Sequence, residues 1–398
     1  MKNIVKSILT ATIFLTVFTS AQAANISVGN LIVERVGNGT TALSNAAADI
    51  AVLEFTKSGS AIQTISFPST GATQQTDSGS ATSNGLLNSY NGFVAVTGYN
   101  STAGTASVAS LNTKVTSVLD NTGAVVNRTT YPTGGTSGSP VSPYSGNNLR
   151  SAIATGNNTF YASGTSSGTP NTGGVQYYNG TDFTQLTTAL TNTRGIEIFN
   201  SQLYTSAASS TFYGISKIGT GLSTTSGQTA TLEISTGASS SPYGFVMFDT
   251  NRDSLLDTAF IADDRATTGG GLGKWTFNGT TWVNNYSLRF DAAAGNLSAT
   301  ASTGFAGIRG LTGSYDDATG AFSLFATTTE TASNRIVSVV DNGATPTTYT
   351  TLATAGSNTL FRGIDIVTVP EPSSAALLGI GMVALVAVRA FRRGRGDS

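Results

Sequence analysis

A repeat constrains this chain more than any other feature. Strand-turn-strand units recur at about forty to sixty residues, the spacing at which self-similar β-units build ring-shaped or stacked folds. They occupy residues 50–67, 115–131, 175–186, 213–234, 272–288 and 336–352. Each has the form of an outer hairpin, and the pairs Asn179-Gly180, Asn278-Gly279 and Asn342-Gly343 supply the positive φ angles of tight turns. A second motif precedes most hairpins, a short apolar strand opened by Arg-Gly or a near relative. It appears as Arg194-Gly195-Ile196-Glu197-Ile198, Arg309-Gly310-Leu311 and Arg362-Gly363-Ile364-Asp365-Ile366. Looser versions stand at Arg150-Ser151-Ala152-Ile153, Tyr243-Gly244-Phe245-Val246 and Asn84-Gly85-Leu86-Leu87. These are the expected innermost strands, where glycine lets backbones crowd together around an axis.

The last inner strand, residues 363–367, has no hairpin after it, and the first hairpin has no inner strand before it. Pairing the two chain ends completes a blade and removes the open edges of a ring. No segment between the ends sustains a 3.6-residue apolar period, so the expected class is all-β. The prediction is a single β-propeller over residues 24–367 with six blades, or seven because the gaps from Asn84 to Arg150 and from Tyr243 to Arg309 are long. A β-solenoid or a pair of β-sandwiches is the alternative fold. The repeat resembles six-bladed propellers of the broad NHL and TolB-like kind, whose diagnostic motifs are not intact here.

The two ends carry a different message. Lys2 and Lys6, an apolar run over residues 8–18 and the small-x-small triplet Ala21-Gln22-Ala23 form a secretory signal for signal peptidase, covering residues 1–23. The alternative, an N-terminal anchor, needs a longer apolar run than this one. At the other end stand Val369-Pro370-Glu371-Pro372, an uncharged apolar stretch over residues 375–388, and the basic residues Arg389, Arg392, Arg393 and Arg395. Positive charge retained in the cytoplasm leaves the upstream chain outside it. The span is short for a permanent anchor, which suits a transient transmembrane helix in the precursor.

Residues 368–398 resemble the PEP-CTERM sorting domain of Gram-negative bacteria, in which a PEP motif, an apolar helix and an arginine cluster follow in this order. The resemblance implies recognition by exosortase, a membrane-embedded cysteine protease and transpeptidase-like enzyme. It further implies a passing stay in the inner membrane, processing near the PEP motif, and a final place at the cell surface or in the extracellular matrix beside exopolysaccharide. A plain C-terminal anchor is the simpler alternative.

Composition narrows the chemistry of the middle. With no cysteine and no histidine, disulfides, thiolate chemistry, zinc sites of the usual kinds and histidine-based general base catalysis are excluded. Without Lys2, Lys6, the four tail arginines and Asp397, the 20 basic and 21 acidic residues fall to 14 and 20. Such a mildly acidic surface argues against nucleic acid as a partner.

Three groups of residues invite a functional reading. Asp249, Asn251, Asp253 and Asp257 place oxygens at alternate positions, as at the start of a calcium loop. The turn glycine is replaced by Ser254, and a turn whose Asp and Asn satisfy their own backbone explains the same letters. Arg150, Arg194, Arg309 and Arg362 would line one mouth of the ring, ready for an anionic ligand such as an acidic sugar. The alternative is that they bond carbonyls or pair with Glu197 and Asp365 to fix blade packing. Trp275, Trp282, Tyr177 and Tyr178 suit sugar stacking or core packing between blades. Asp263-Asp264 and Asp316-Asp317 are neighbours whose side chains leave a strand in opposite directions, which does not make an acid/base couple. The expectation is a noncatalytic surface protein without a cofactor. A secreted propeller enzyme of calcium-dependent lactonase or lyase type is the alternative.

Overall fold

The computed structural model describes residues 24–133, 142–209, 211–300 and 303–368. The expected signal peptide with Ala21 and Ala23, and the tail with Val369 to Pro372, its apolar span and Arg389, Arg392, Arg393 and Arg395, lie outside these residues.

Strands β1 (Leu31–Val36), β2 (Ala47–Phe55) and β3 (Ala61–Ser66) run antiparallel as a meander. A short β4 (Thr76–Ser78) pairs with the start of β2. It leads to a second meander of β5 (Asn88–Tyr90), β6 (Phe93–Tyr99), β7 (Lys114–Leu119) and β8 (Val125–Thr130). Because β4 also touches β6, both meanders belong to one hydrogen-bonded sheet.

Four further meanders follow. They are β9 (Leu149–Gly156), β10 (Thr159–Gly164), β11 (Gly174–Tyr178) and β12 (Phe183–Gln185), then β13 (Thr193–Phe199), β14 (Gln202–Ser209), β15 (Phe212–Ile218) and β16 (Ala230–Ser235). Next come β17 (Pro242–Phe248), β18 (Thr258–Asp263), β19 (Gly271–Phe277) and β20 (Trp282–Asp291), the last extended by the short β21 (Leu297–Ser298) and β22 (Phe305–Ala306). The chain ends with β23 (Ile308–Asp316), β24 (Ala321–Thr328), β25 (Arg335–Asp341) and β26 (Thr350–Thr354), followed by β27 (Leu360–Ile366). That last strand does not extend the meander before it. It pairs antiparallel with β1, aligning Ile366 with Leu31, Ile364 with Val33 and Leu360 with Val36.

The expected outer hairpins fall on β2–β3, β7–β8, β11–β12, β15–β16, β19–β20 and β25–β26. The inner strands pack one against the next: β27 on β5, β5 on β9, β9 on β13, β13 on β17, β17 on β23, and β23 back on β27. The chain is therefore all-β and propeller-like, with its ends joined in one sheet. At Asn84-Gly85-Leu86-Leu87 the structure differs from the expected inner strand. Leu86 makes only a parallel bridge to Ser151, and the hydrogen-bonded strand begins later, at Asn88. Gly85 has φ +74°, outside the range of a strand.

Period-two alternation explains how such strands bury both faces. In β1, Ile32 and Val36 enter an apolar layer with Ile50, Val94 and Val96, while Leu31 and Val33 enter another with Phe325 and Ile336. Every layer draws on two neighbouring meanders. Tyr204 and Ile215 thus meet Phe245 and Ile261, and Leu272 and Leu288 meet Leu324 and Val337. The outer strands lack this double cover, and Ile62, Val125 and Val126 on β3 and β8 are exposed.

Turn chemistry departs from the two-residue hairpin in one respect. Gly180 and Gly279 take φ +101° and +90°, but Asn179 and Asn278 do not share the positive φ. Their side chains instead accept hydrogen bonds from the backbone, Asn179 Oδ1 from Thr181 N and Asp182 N at 2.8 Å each. Asn278 does the same with Thr280 N and Thr281 N at 3.0 and 2.9 Å. These are Asx turns.

The inner glycines are required by contact. A Cβ on Gly363 would stand 2.4 Å from Leu87 N and 2.5 Å from Gly85 O, and one on Gly195 2.8 Å from Tyr243 O. Gly363→Ala is expected to lower stability by about 1–3 kcal/mol through overpacking. Gly356→Ala, whose Cβ would meet only Thr359 Oγ1 at 3.8 Å, should change it by less than about 0.5 kcal/mol. Urea unfolding of both variants checks the pair.

Candidate functional site

The first residue of each inner motif sits where one meander meets the next. Arg150 Nη1 donates to Asn192 Oδ1 at 2.7 Å and Thr193 O at 2.9 Å. Arg194 repeats the arrangement one meander on, donating to Ser241 Oγ at 2.8 Å and Pro242 O at 3.1 Å. Its guanidinium lies 4.2 Å from the Tyr243 ring centroid, and that of Arg309 5.7 Å from the same ring, within cation–π range. Arg309 pairs with Asp264 at 3.1 Å, and the buried Arg362 donates to Gly79 O at 3.0 Å.

The carbonyls of these positions are also used. Ser163 Oγ donates to Arg194 O at 2.5 Å, Ser206 Oγ to Tyr243 O at 2.6 Å, and Thr327 Oγ1 to Arg362 O at 2.5 Å. Three hydroxyl-to-carbonyl bonds thus stitch β10, β14 and β24 to the next inner strand. Arg194 and Arg309 flank the Tyr243 ring, and all four arginines make bonds across strand junctions.

Their expected pairing with Glu197 and Asp365 is not what the structure contains. Arg194 turns to Ser241 and Pro242 of the next meander, and among the described residues no ion pair joins it to Glu197 three residues on. Asp365 instead accepts from Ser89 N at 2.6 Å, Thr312 Oγ1 at 2.7 Å and Ile366 N at 2.8 Å. Burial pushes its carboxyl up to about 6 against those donors. Glu197 lies on β13, well separated in sequence from β27, yet feels the charge of Asp365. Burial first, and that charge second, hold its carboxyl well above the usual range. Two acidic side chains from β13 and β27 thus face each other's charge without an arginine to pair them.

The loop of Asp249, Asn251, Asp253 and Asp257 is exposed at its tip, half-buried at Asp249 and Asp257, and turned upon itself. Asp249 accepts from Ser254 N at 2.8 Å, Asn251 from Asp253 N at 3.0 Å, and Asp253 from Leu255 N at 2.8 Å. Asp257 accepts from Thr250 N at 3.0 Å and Thr250 Oγ1 at 2.8 Å. Among the described residues, no three or more Asp and Glu side chains group as a metal site. Asp263 and Asp264 diverge as expected, Asp263 to Arg265 at 2.8 Å and Asp264 to Arg309.

The aromatic candidates divide. Tyr177 packs 5.0 Å from Tyr161, Tyr178 5.0 Å from Phe160, and Trp282 5.7 Å from Phe277, ring centre to ring centre. Trp275 packs on the layer of Tyr204 and Phe245 and also lines an open recess of about 250 Å³ with Asp263, Arg265, Asn284 and Ser287. Sequence reasoning missed a buried group at the seam of the two chain ends, Glu34, Asp77 and Asn84 beside Arg362. Only the apolar setting of Glu34 in β1 hinted at it.

The ring ends at its C-terminal side with Val367 N bonded to Asn30 O at 2.9 Å and Thr368 N to Ser89 Oγ at 3.1 Å. A family model described as the PEP-CTERM protein-sorting motif matches residues 368–393. The chain carries a PEP-CTERM sorting motif. The motif assigns it to exosortase-mediated sorting as an exported protein, at the cell surface or outside the cell. No curated protein matches the sequence. Among solved structures, a quinonprotein alcohol dehydrogenase-like protein from Bacteroides thetaiotaomicron VPI-5482 is similar at 11% identity, over 88% of this chain and 97% of that one, with a TM-score of 0.35.

The unpartnered Glu197 gives a pH prediction. A carboxyl raised in the folded state stabilises below its unfolded pKa, and that stability is lost as pH climbs through the folded value. Glu197→Gln should therefore stabilise the protein at pH 8 and leave it unchanged at pH 4, as read from urea midpoints at the two pH values.

Proposed function

We propose that this PEP-CTERM chain is a noncatalytic surface component, a closed propeller of six blades released whole from its membrane tag and held against exopolysaccharide or other envelope material. One observation carries the reading. The matched sorting motif starts at Thr368, two residues past the end of the last strand, and Thr368 N is itself the final bond to the ring, to Ser89. Cleavage after that point leaves every strand of the ring in place. The blade count rests on the cycle of inner strands through β27, β5, β9, β13, β17 and β23. In this reading signal peptidase removes residues 1–23, the apolar stretch of residues 375–388 spans the inner membrane transiently, and the arginines after it stay in the cytoplasm.

The four arginines support a structural role for the inner motif, since their guanidiniums are engaged by carbonyls, Asp264 and Tyr243. Contact with polysaccharide then falls to outer features, among them the recess beside Trp275.

Mass spectrometry of the surface-exposed protein should find a C-terminus between about Thr368 and Pro372. Recovery of chains that retain Arg389 to Ser398 contradicts the reading. Glu371→Ala should leave the protein in the inner membrane with its tail intact. In cell fractionation, the processed protein should co-sediment with polysaccharide from the producing cells, and free behaviour in that assay counts against the envelope partner.

A further inference from the structure

A buried polar group lies where β1, β4 with the segment after it, and β27 meet. Glu34 and Asp77 are 0% and 1% exposed, Asn84 1% and Arg362 4%. Asn84 Nδ2 donates to Asp77 Oδ1 at 2.9 Å and approaches the Tyr99 hydroxyl at 3.0 Å. Both oxygens of Glu34, Asp77 Oδ2 and Asn84 Oδ1 have no partner. The Glu34 carboxylate lies against Gly85, where an added Cβ would come 2.5 Å from Glu34 Oε1 and 3.0 Å from Arg362 Cβ. Four buried acceptor oxygens thus occur together without a donor. Leaving such groups unsatisfied is costly, and more so when they are charged.

Arg362 does not fill the need. Its Nη2 is bonded to Gly79 O, and its single charge leaves one negative charge over from the two carboxylates. A proton on one carboxyl balances the charge but satisfies few of the lone pairs. A hard cation supplies what the lone pairs lack, since such ions take several carboxylate, amide-carbonyl and water oxygens in irregular geometry; Na⁺ also balances the charge, and Ca²⁺ leaves one positive charge over. A water on such an ion would also accept from Arg362 Nε, which has no partner either.

We propose that Glu34, Asp77 and Asn84 form a buried site for a hard cation, Na⁺ or Ca²⁺, that ties the first strand, the crossing segment and the last strand together at the closure of the ring. The site is distinct from the loop at Asp249 to Asp257. It joins the Glu34 carboxylate to Asp77 and Asn84, a carboxylate and an amide seven residues apart on a different segment.

The groups around Glu34 set the competing pH behaviour. Asp77 and Arg362 face it, Tyr99 and Arg150 lie beyond Asp77, and Arg309 and Tyr243 lie beyond Arg362. Burial, with the charge of Asp77, raises the Glu34 carboxyl, and burial raises that of Asp77. Without a cation, stability should therefore fall as pH rises from 5 to 8.

The test uses the full chain in detergent, stripped of metal and held in choline chloride. At pH 8 the thermal midpoint should rise by several degrees on adding Ca²⁺ or NaCl at matched ionic strength, and by much less at pH 5. Separate Ca²⁺ and Na⁺ titrations identify the ion. Tb³⁺ should bind with luminescence excited through tyrosine, be displaced by Ca²⁺, and lose at least tenfold in affinity in Glu34→Gln and Asp77→Asn. If choline, Na⁺ and Ca²⁺ give the same midpoints at pH 8, the carboxylates share only a proton and the proposal fails. Tb³⁺ binding that persists in both variants places the ion elsewhere and also overturns it. The wild-type midpoints decide the matter even if a variant does not fold.

Discussion

The pairing of β27 with β1 is the constraint on which the rest of the ring depends. Each apolar layer is shared between two meanders, so none is complete until its neighbours on both sides are seated. If β27 were undocked, Phe361 and Ile364 would leave the layer they share with Leu31, Val33 and Phe325. Each large apolar side chain so exposed costs about 1.5–3 kcal/mol. Two or three such losses approach the total stability of an ordinary domain. Closure is thus part of folding, and it waits for the last residues of the ring to be made.

Around the axis, stability and crowding are the same problem. The inner strands come close enough that glycine is needed at Gly195, Gly244, Gly310 and Gly363, where a Cβ would meet neighbouring backbone at 2.8 Å or less. Backbones this close leave carbonyls that need donors, and the arginines and the hydroxyls of Ser163, Ser206 and Thr327 provide them. Farther out, one polar node works in the same way. Lys274 pairs with Asp341 at 2.8 Å, Tyr286 donates to the same carboxylate at 2.5 Å, and the ammonium sits 5.1 Å from the Phe322 ring centroid. A charged pair is tolerated there because aromatic faces and a phenol surround it.

The outer hairpins and most inner strands were legible from local signals, an Asn-Gly pair in three of the hairpins and a glycine after arginine in three of the inner strands. The second strands were harder to see. Segments such as Thr159–Gly164 and Thr258–Asp263 are buried on both faces, so polar and apolar residues do not alternate along them. The long gap before Arg309 holds the short β21 and β22, and the one before Arg150 includes a 3₁₀ turn at Val108–Ser110. Neither has a pattern that outlasts a few residues. Arg150, Arg194 and Arg362 do bond carbonyls, but the alternative partners Glu197 and Asp365 do not meet them, because proximity in sequence is not proximity in space. The cluster of Glu34, Asp77 and Asn84 was invisible for the same reason, since only folding brings β1 to β4 and the segment after it.

The position of the sorting motif gives the closure a biological sense. A tag that begins at Thr368 is attached to a finished ring, so processing need not wait for refolding. Native-state hydrogen exchange, resolved by residue, tests this account most directly. Amides of residues 31–36 and 360–366 should exchange only with global unfolding, at the same free energy as those of Gln202–Ser209 in the middle of the ring. Exchange of the β27 amides at a distinctly lower free energy, with the rest of the ring still protected, would show that the last strand is an accessory and contradict the account.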